Sequence, residues 1–315
     1  MPVGETAAGD VAQWTITAPA SLDFGDVTGL RVRLIAGSVA VLATDGTPSV
    51  EVSSIEGDPL TVTYADGVLT IAHENLSWES LLTAHENLSW EGLLKWLRPR
   101  RSSATVTVSV PRKCPAQVGV VSATAVMSGI SSRASVKSVS GGITLDGVAG
   151  DVDANTVSGA LEAQGINGRL NFRTVSGDLT LADGWLERLD ANVVSGDVTA
   201  DVDLDPLGGM QVTTVSGEVT LRLPAEADAT VNLHSLSGDV RSEFTELRRS
   251  CAPASRSVSG SLGAGSGRVS VTTMSGRVML LRRAGRGTAR QDAQPADPGA
   301  GDQPDNKSEM EGEAS

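Results

Sequence analysis

From residue 139 onward, apolar and polar positions alternate around a glycine that returns every nine residues, at Gly141, Gly150, Gly159, Gly168 and Gly177. Two residues before each glycine stand Val139, Val148, Val157, Ile166 and Val175. Two after stand Ile143, Val152, Leu161, Leu170 and Leu179, and four after stand Leu145, Ala154, Ala163, Phe172 and Leu181. These three columns are apolar, and the column between the last two (Thr144, Asp153, Glu162, Asn171, Thr180) is polar, which is the period-two alternation of a half-buried strand. The pattern continues at looser spacing around Gly196, Gly217, Gly238, Gly260 and Gly276 and ends near residue 283. Every second glycine carries a fuller aliphatic-Ser-Gly signature, so the unit is two strands, about 18 to 22 residues per coil. A unit that short cannot bury its own apolar face, and stacking on its neighbours builds the core. The predicted fold is all-β, a β-solenoid of short strands. An antiparallel β-roll or sandwich would give the same alternation.

Glycine inside a strand costs about 0.5–1 kcal/mol relative to alanine, so the repeated glycines need a reason. Either the chain bends there at positive φ, or the coil has no room for a side chain. The alternation runs through the glycine in phase, which favours the second. Ser140, Ser158, Ser176, Ser195, Ser216, Ser237, Ser259 and Ser275 would then stack as a ladder, bonding one another or nearby backbone.

Residues 1–26 read as a loosely ordered lead-in, and 27–283 as the β-repeat domain, whose first coils (residues 29–72) are atypical, as terminal repeats usually are. Residues 284–315 are rich in Ala, Gly, Pro, Gln, Asp and Glu and read as a disordered acidic tail. One segment breaks the β pattern. Ile71–Leu82 and Thr83–Leu94 are a tandem duplication, each copy carrying Ala-His-Glu-Asn-Leu-Ser-Trp-Glu. Its Leu, Glu, Ala and Trp content predicts a helical insertion over 72–101. A twelve-residue offset turns a helix about 120° past three full turns, so the two copies do not share one face.

With 3% aromatics among its 315 residues, the chain suits a narrow aliphatic column better than a large globular enzyme. A net charge of −13 argues against nucleic acid as a partner. Met1 to Ser21 holds no Lys or Arg and no apolar core of signal length, and the longest apolar stretch, Leu34 to Ala43, is broken by Gly37 and Ser38. A cytoplasmic protein, at most peripheral to a membrane, is therefore expected.

Catalytic chemistry has little support. Cys114 and Cys251 are too few for a disulfide framework or a metal cluster. His73, His85 and His234 show no ligand spacing, the first two being copies of each other. The run Gly260 to Gly267 lacks the Gly-Lys-Ser/Thr ending of a phosphate loop, and no Gly-x-Ser-x-Gly elbow occurs. No metal, cofactor or small-molecule substrate is expected. Asp178, Asp197, Glu218 and Asp239 each follow a Ser-Gly glycine, so consecutive stacked coils would line up four carboxylates about 4.8 Å apart. Such a row could bind Ca²⁺ or abstract protons in a polysaccharide-active β-helix enzyme. Like charges at that spacing repel by only about 1 kcal/mol per pair in water, so a solvated acidic ladder is the plainer reading. The stronger candidate surface is Leu88 to Arg101, where Trp90 and Trp96 stand with Lys95, Arg98, Arg100 and Arg101. A Trp/Leu stretch with a basic end suits a protein partner or a membrane surface; it equally suits a cap over exposed strand edges.

The Ser-Gly-Asp-Val-Thr-Leu style repeats, the Trp-Glu-Gly-Leu-Leu segment followed by basic residues and Val-Thr-Val-Ser-Val-Pro, and Cys114-Pro115 resemble the bacterial "putative adhesin" family of unknown function, also called the toast-rack domain. The resemblance covers about residues 27–283 and implies a stacked β-strand repeat without established catalytic residues, in a family associated with cell-envelope stress systems or surface adhesion. The expected function is a non-enzymatic binding or scaffold protein, with a glycan-binding surface adhesin and the polysaccharide-active enzyme as alternatives.

Overall fold

The computed structural model describes residues 3–8, 11–73, 102–252 and 255–283. Every regular element among them is a β-strand. The N-terminal strands are β1 (Val3–Ala8), β2 (Val11–Ile16), β3 (Ala20–Asp23), β4 (Gly29–Thr44), β5 (Ser49–Glu56), β6 (Leu60–Ala65), β7 (Val68–His73) and β8 (Ser103–Pro111). The repeat follows as β9 (Ala116–Ser128), β10 (Ala134–Ser138), β11 (Ile143–Asp146), β12 (Ala149–Thr156), β13 (Leu161–Gln164), β14 (Asn167–Thr174), β15 (Leu179–Ser195), β16 (Val198–Ser216) and β17 (Val219–Pro224). Last come β18 (Ala229–Ser235), β19 (Val240–Ser242), β20 (Arg248–Ala252), β21 (Ser255–Leu262), β22 (Gly267–Thr273) and β23 (Val278–Arg283).

The nine-residue period is one strand and its corner, and two periods make a coil. Ala134 therefore pairs with Val152, and Ile143 with Leu161, eighteen residues on. Each coil contributes one strand to each of two parallel columns. The first runs from the start of β9 through β10, β12, β14, the end of β15 and the end of β16. The second runs from the end of β9 through β11, β13, the start of β15, the start of β16 and β17. Val136, Val152, Leu170, Leu189 and Val212 line the first column inside, and Leu145, Leu161, Leu181 and Leu221 the second, all fully buried. Each such side chain contributes about 1.5–3 kcal/mol when withdrawn from water.

The antiparallel alternative does not hold for the repeat, because its columns are parallel throughout. Antiparallel pairing is confined to the two ends, in β1–β2–β6–β7, β3–β5–β8 and β18–β21–β20. The coils also do not stack in chain order at the ends. β22 lies between β16 and β18, and β23 between β17 and β19. β4 likewise lies between β9 and the β7/β8 pair. A coil slipped one place inward leaves its neighbour's open edge to the antiparallel strands, which pair it.

The lead-in expected over 1–26 is not loosely ordered where it is described. β2 pairs with β6 and β3 with β5. Ile16 and Phe24 are buried, with Trp14 edge-on to Phe24 at 5.5 Å between ring centres. Of the predicted helical insertion, Ala72 and His73 belong to β7 instead, where Arg33 pairs with Ala72. Residues 74–101 and the tail 284–315 lie outside the described residues. Among the described residues no helix is long and apolar enough to cross a membrane.

Candidate binding surface

The surface is built at the corner between the two columns, and one short motif builds it. Three residues before every stacked glycine except Gly196, where Val193 stands, sits a Ser or Thr, at Ser138, Thr156, Thr174, Thr214, Ser235 and Thr273, all buried. The hydroxyls of Thr156, Thr174, Ser235 and Thr273 accept the N–H of the glycine three residues on, at 2.8–2.9 Å. The glycine then lies directly on the coil beneath. A Cβ on Gly159, Gly177, Gly217 or Gly276 would run into the carbonyl oxygen of Gly141, Gly159, Gly196 or Gly217. Close approach is thus the reason for this glycine column. The intervening Gly150 and Gly168, at φ 109° and 119°, are true positive-φ bends.

With the inside of the corner filled by hydroxyl and glycine, the two residues between them turn outward. The serines bond the backbone of the preceding coil, not each other. Ser158 donates both its N–H and its hydroxyl to the Val139 carbonyl, at 2.9 and 3.2 Å, and Ser140, Ser176, Ser237 and Ser275 repeat the arrangement. Ser259 does not join the ladder, since it lies in antiparallel β21. The aliphatic column before the serines, read from the alternation as inward, faces solvent. Val157, Val175, Val194, Val215, Leu236 and Met274 are 43–53% exposed. The period-two phase breaks at the corner because the chain changes faces there. The buried Ser/Thr position was the available signal, and the alternation read around glycine passed over it.

These residues form one stripe. Backbone register places them in the order Ile35, Val121, Val139, Val157, Val175, Val194, Val215, Met274, Leu236, with Ile35, Val121 and Val139 half-buried. Along one side runs the outward row Arg33, Gly119, Lys137, Asn155, Arg173, Asn192. Because Gly119 has no side chain, Arg31, Arg33 and Lys137 surround a shallow cleft of about 240 Å³ floored by Gly119.

The acidic column lies on the other side of the corner and is not four carboxylates in succession. Asp178 accepts the N–H of Asp197 at 2.8 Å, and Asp197 accepts that of Glu218 at 2.7 Å. The next place belongs to Arg277, because β23 is intercalated, and its guanidinium pairs with Glu218 at 3.3 Å. Asp239 follows beyond it, with its carboxyl held below the usual carboxylate range first by the hydrogen bond from Arg241 and then by the nearby guanidinium charges. The carboxylates tie backbone amides between coils. Among the described residues no group of three or more His, Cys, Asp or Glu is arranged to hold a metal ion.

The glycine run Gly260 to Gly267 closes the β21–β22 turn around Asp228, which accepts the N–H groups of Gly265 and Ser266 and the Ser266 hydroxyl. His234 lies half-buried in β18, paired in register with Ser257 and Thr272. His73 is buried, and among the described residues neither ring nitrogen has a hydrogen-bond partner. Trp90, Lys95, Trp96, Arg98, Arg100 and Arg101 lie outside the described residues.

A model of the Toastrack DUF4097 family matches residues 83–281. The chain belongs to that family. Its function is unknown, and the match begins at Thr83, the first residue of the second duplicated copy. Crystal structures similar to this toast-rack chain include a "putative lipid binding protein" from Parabacteroides distasonis, 12% identical over 84% of this chain and 96% of that one, with a TM-score of 0.40. Another is a "putative adhesin" from Bacteroides fragilis, 10% identical over 84% and 96%, with a TM-score of 0.33. A third is a "putative cell adhesion protein" from Clostridium sporogenes, 12% identical over 84% and 100%, with a TM-score of 0.24. Likeness at this level says nothing about a ligand. No curated protein matches the chain.

Proposed function

We propose that this toast-rack chain is a non-catalytic binding or scaffold protein, a β-solenoid whose long corner meets a partner. The observation that carries the reading is the exposed aliphatic stripe. Scattered apolar residues are ordinary at a protein surface, whereas a contiguous apolar row bordered by polar residues marks an interaction site. The solenoid description is supported by two in-register parallel columns stepping eighteen residues per coil. The contact residues of this reading are Trp90, Lys95, Trp96, Arg98, Arg100 and Arg101, which in sequence precede Ser102 and the strand that begins at Ser103. A basic Trp/Leu stretch fits an anionic membrane surface or an acidic protein partner. Participation in envelope-stress signalling rests on the family resemblance alone. The acidic column is the weaker surface, since its carboxylates are already engaged by amides and guanidinium groups.

The test compares the intact chain with Arg98→Glu/Arg100→Glu/Arg101→Glu for recovery on phosphatidylglycerol vesicles and for capture from host lysate and membrane fractions. Loss of binding in the charge-reversed chain is expected. Equal recovery by both chains would move the contact off the basic end. A deletion variant should begin at residue 74, because Ala72 and His73 complete β7.

A further inference from the structure

The exposed stripe is bordered by two chemically different rows. Two residues before Val175, Val194, Val215, Met274 and Leu236 stand Arg173, Asn192, Thr213, Thr272 and His234, which the strand register places in one line on the first column. Each of these side chains can donate a hydrogen bond, and none is an acid. Three residues after the same stripe positions stand Asp178, Asp197, Glu218, Arg277 and Asp239, at the head of the second column. Only Arg277 among them is not a carboxylate. The stripe therefore has a donor side and an acceptor side, matched level by level.

That arrangement is self-complementary in one orientation only. A homodimer closes around a two-fold axis and uses the same patch on both chains. With the axis along the solenoid, the two stripes run parallel and the donor side of each copy faces the acceptor side of the other. Arg173 of one copy then meets Asp178 of the second, Asn192 meets Asp197, Thr213 meets Glu218 and His234 meets Asp239. With the axis across the stripe, donors would face donors and carboxylates would face carboxylates, and like charges brought together oppose association. Arg173 is exposed and makes no ion pair among the described residues, so its charge is available for the contact. We infer that the corner stripe is the interface of a parallel two-fold dimer of this chain, with Val175, Val194, Val215, Met274 and Leu236 at its centre.

The inference rests on the reading of the stripe as a binding surface and names the partner as a second copy. From Val175 to Leu236 the stripe takes four coil steps, about 19 Å at strand spacing. A strip of that length is at the small end of specific interfaces, which centre on about 800 Å² per partner, and a weak, concentration-dependent dimer is expected.

Sedimentation of the purified full chain from about 1 µM to about 1 mM tests this, since that range covers weak specific contacts. The wild type should pass from monomer to dimer, and Val194→Asp/Val215→Asp should weaken the dimer at least tenfold. Arg173→Glu and Asp178→Arg should each weaken it at least tenfold as well, because each puts like charges opposite one another twice. An equimolar mixture of these two variants should recover the dimer, since both contacts between unlike chains again join opposite charges. Circular dichroism checks that every variant folds. Should Asp178→Arg lose its fold, Asp178→Asn keeps an oxygen for the Asp197 N–H, and Arg173→Glu/Asp178→Asn should dimerise more strongly than Arg173→Glu. A wild type that stays monomeric throughout overturns the inference, as does a dimer indifferent to these substitutions. A mixture no stronger than either single variant also overturns it, because the chains are then not parallel. Vesicle and lysate binding through Arg98, Arg100 and Arg101 is read in a different variant, so a monomer that still binds fails only this inference, and a dimer that does not bind fails only the earlier reading.

Discussion

At single positions this chain is unforgiving where its backbone touches itself. An alanine at Gly177 would put its Cβ into the Gly159 carbonyl, and two coils would have to part. Gly177→Ala is expected to cost about 1–3 kcal/mol in urea unfolding, as overpacking does. Gly142→Ala, one residue beyond the stacked column with nothing within 4 Å of the added carbon, should be neutral or slightly stabilising. Burial likewise separates the two thiols. It pushes Cys114 up to about 11, while Cys251 is exposed. One equivalent of a thiol reagent should react with the native protein at pH 8 and two after unfolding; two native equivalents would mean that Cys114 is accessible. Burial also lowers the His73 pKa, and the nearby charge of Asp58 only partly opposes it. The unfolded chain therefore takes up the proton first. Stability is complete above the ordinary histidine value of about 6.5 and falls as the pH drops below it. His73→Leu should flatten that part of the stability profile, and an unchanged slope would place its origin elsewhere.

At the scale of the element, the corner works as a unit of four residues. The Ser or Thr hydroxyl satisfies a glycine N–H, the glycine lets two coils touch, and the serine bonds the coil below. The valine is left outside, about half exposed. Thr174→Val removes the acceptor from a buried N–H and should cost about 1–3 kcal/mol, because an unsatisfied donor loses its desolvation in full. Thr174→Ser should restore most of that stability. The coil holding Val193 in this position lacks the hydroxyl. At the same corner Gly196 has φ 155° and its neighbour Gly217 has φ 133°.

Across the whole molecule, the intercalated coils make the ends depend on distant sequence. Ending the chain after Leu262 removes β22 and β23, which separate β16 and β17 from β18 and β19. A stack laid down in chain order would lose only its last coil. Here residues 229–262 should lose exchange protection altogether, while 116–200 keep theirs. Persistent protection over 229–262 would mean that β18 can close directly on β16.

The sequence alone determined the all-β class, the coil length, the in-register glycines and the toast-rack resemblance. The first three follow from local alternation and from the cost of glycine, which short-range chemistry dictates; the resemblance rests on the repeat motif, the Trp-Glu-Gly-Leu-Leu segment and Cys114-Pro115. Tertiary structure decided which way the corner valines face, since period-two reading assumes one continuous strand and fails where the chain changes columns. It decided as well that Arg277 interrupts the acidic row and that β4 sits between β9 and β7. Stacking order is a choice among edges of nearly equal hydrogen-bonding capacity. The order seen here goes with antiparallel strands at both ends and, at the N-terminal end, with buried Ile16 and Phe24.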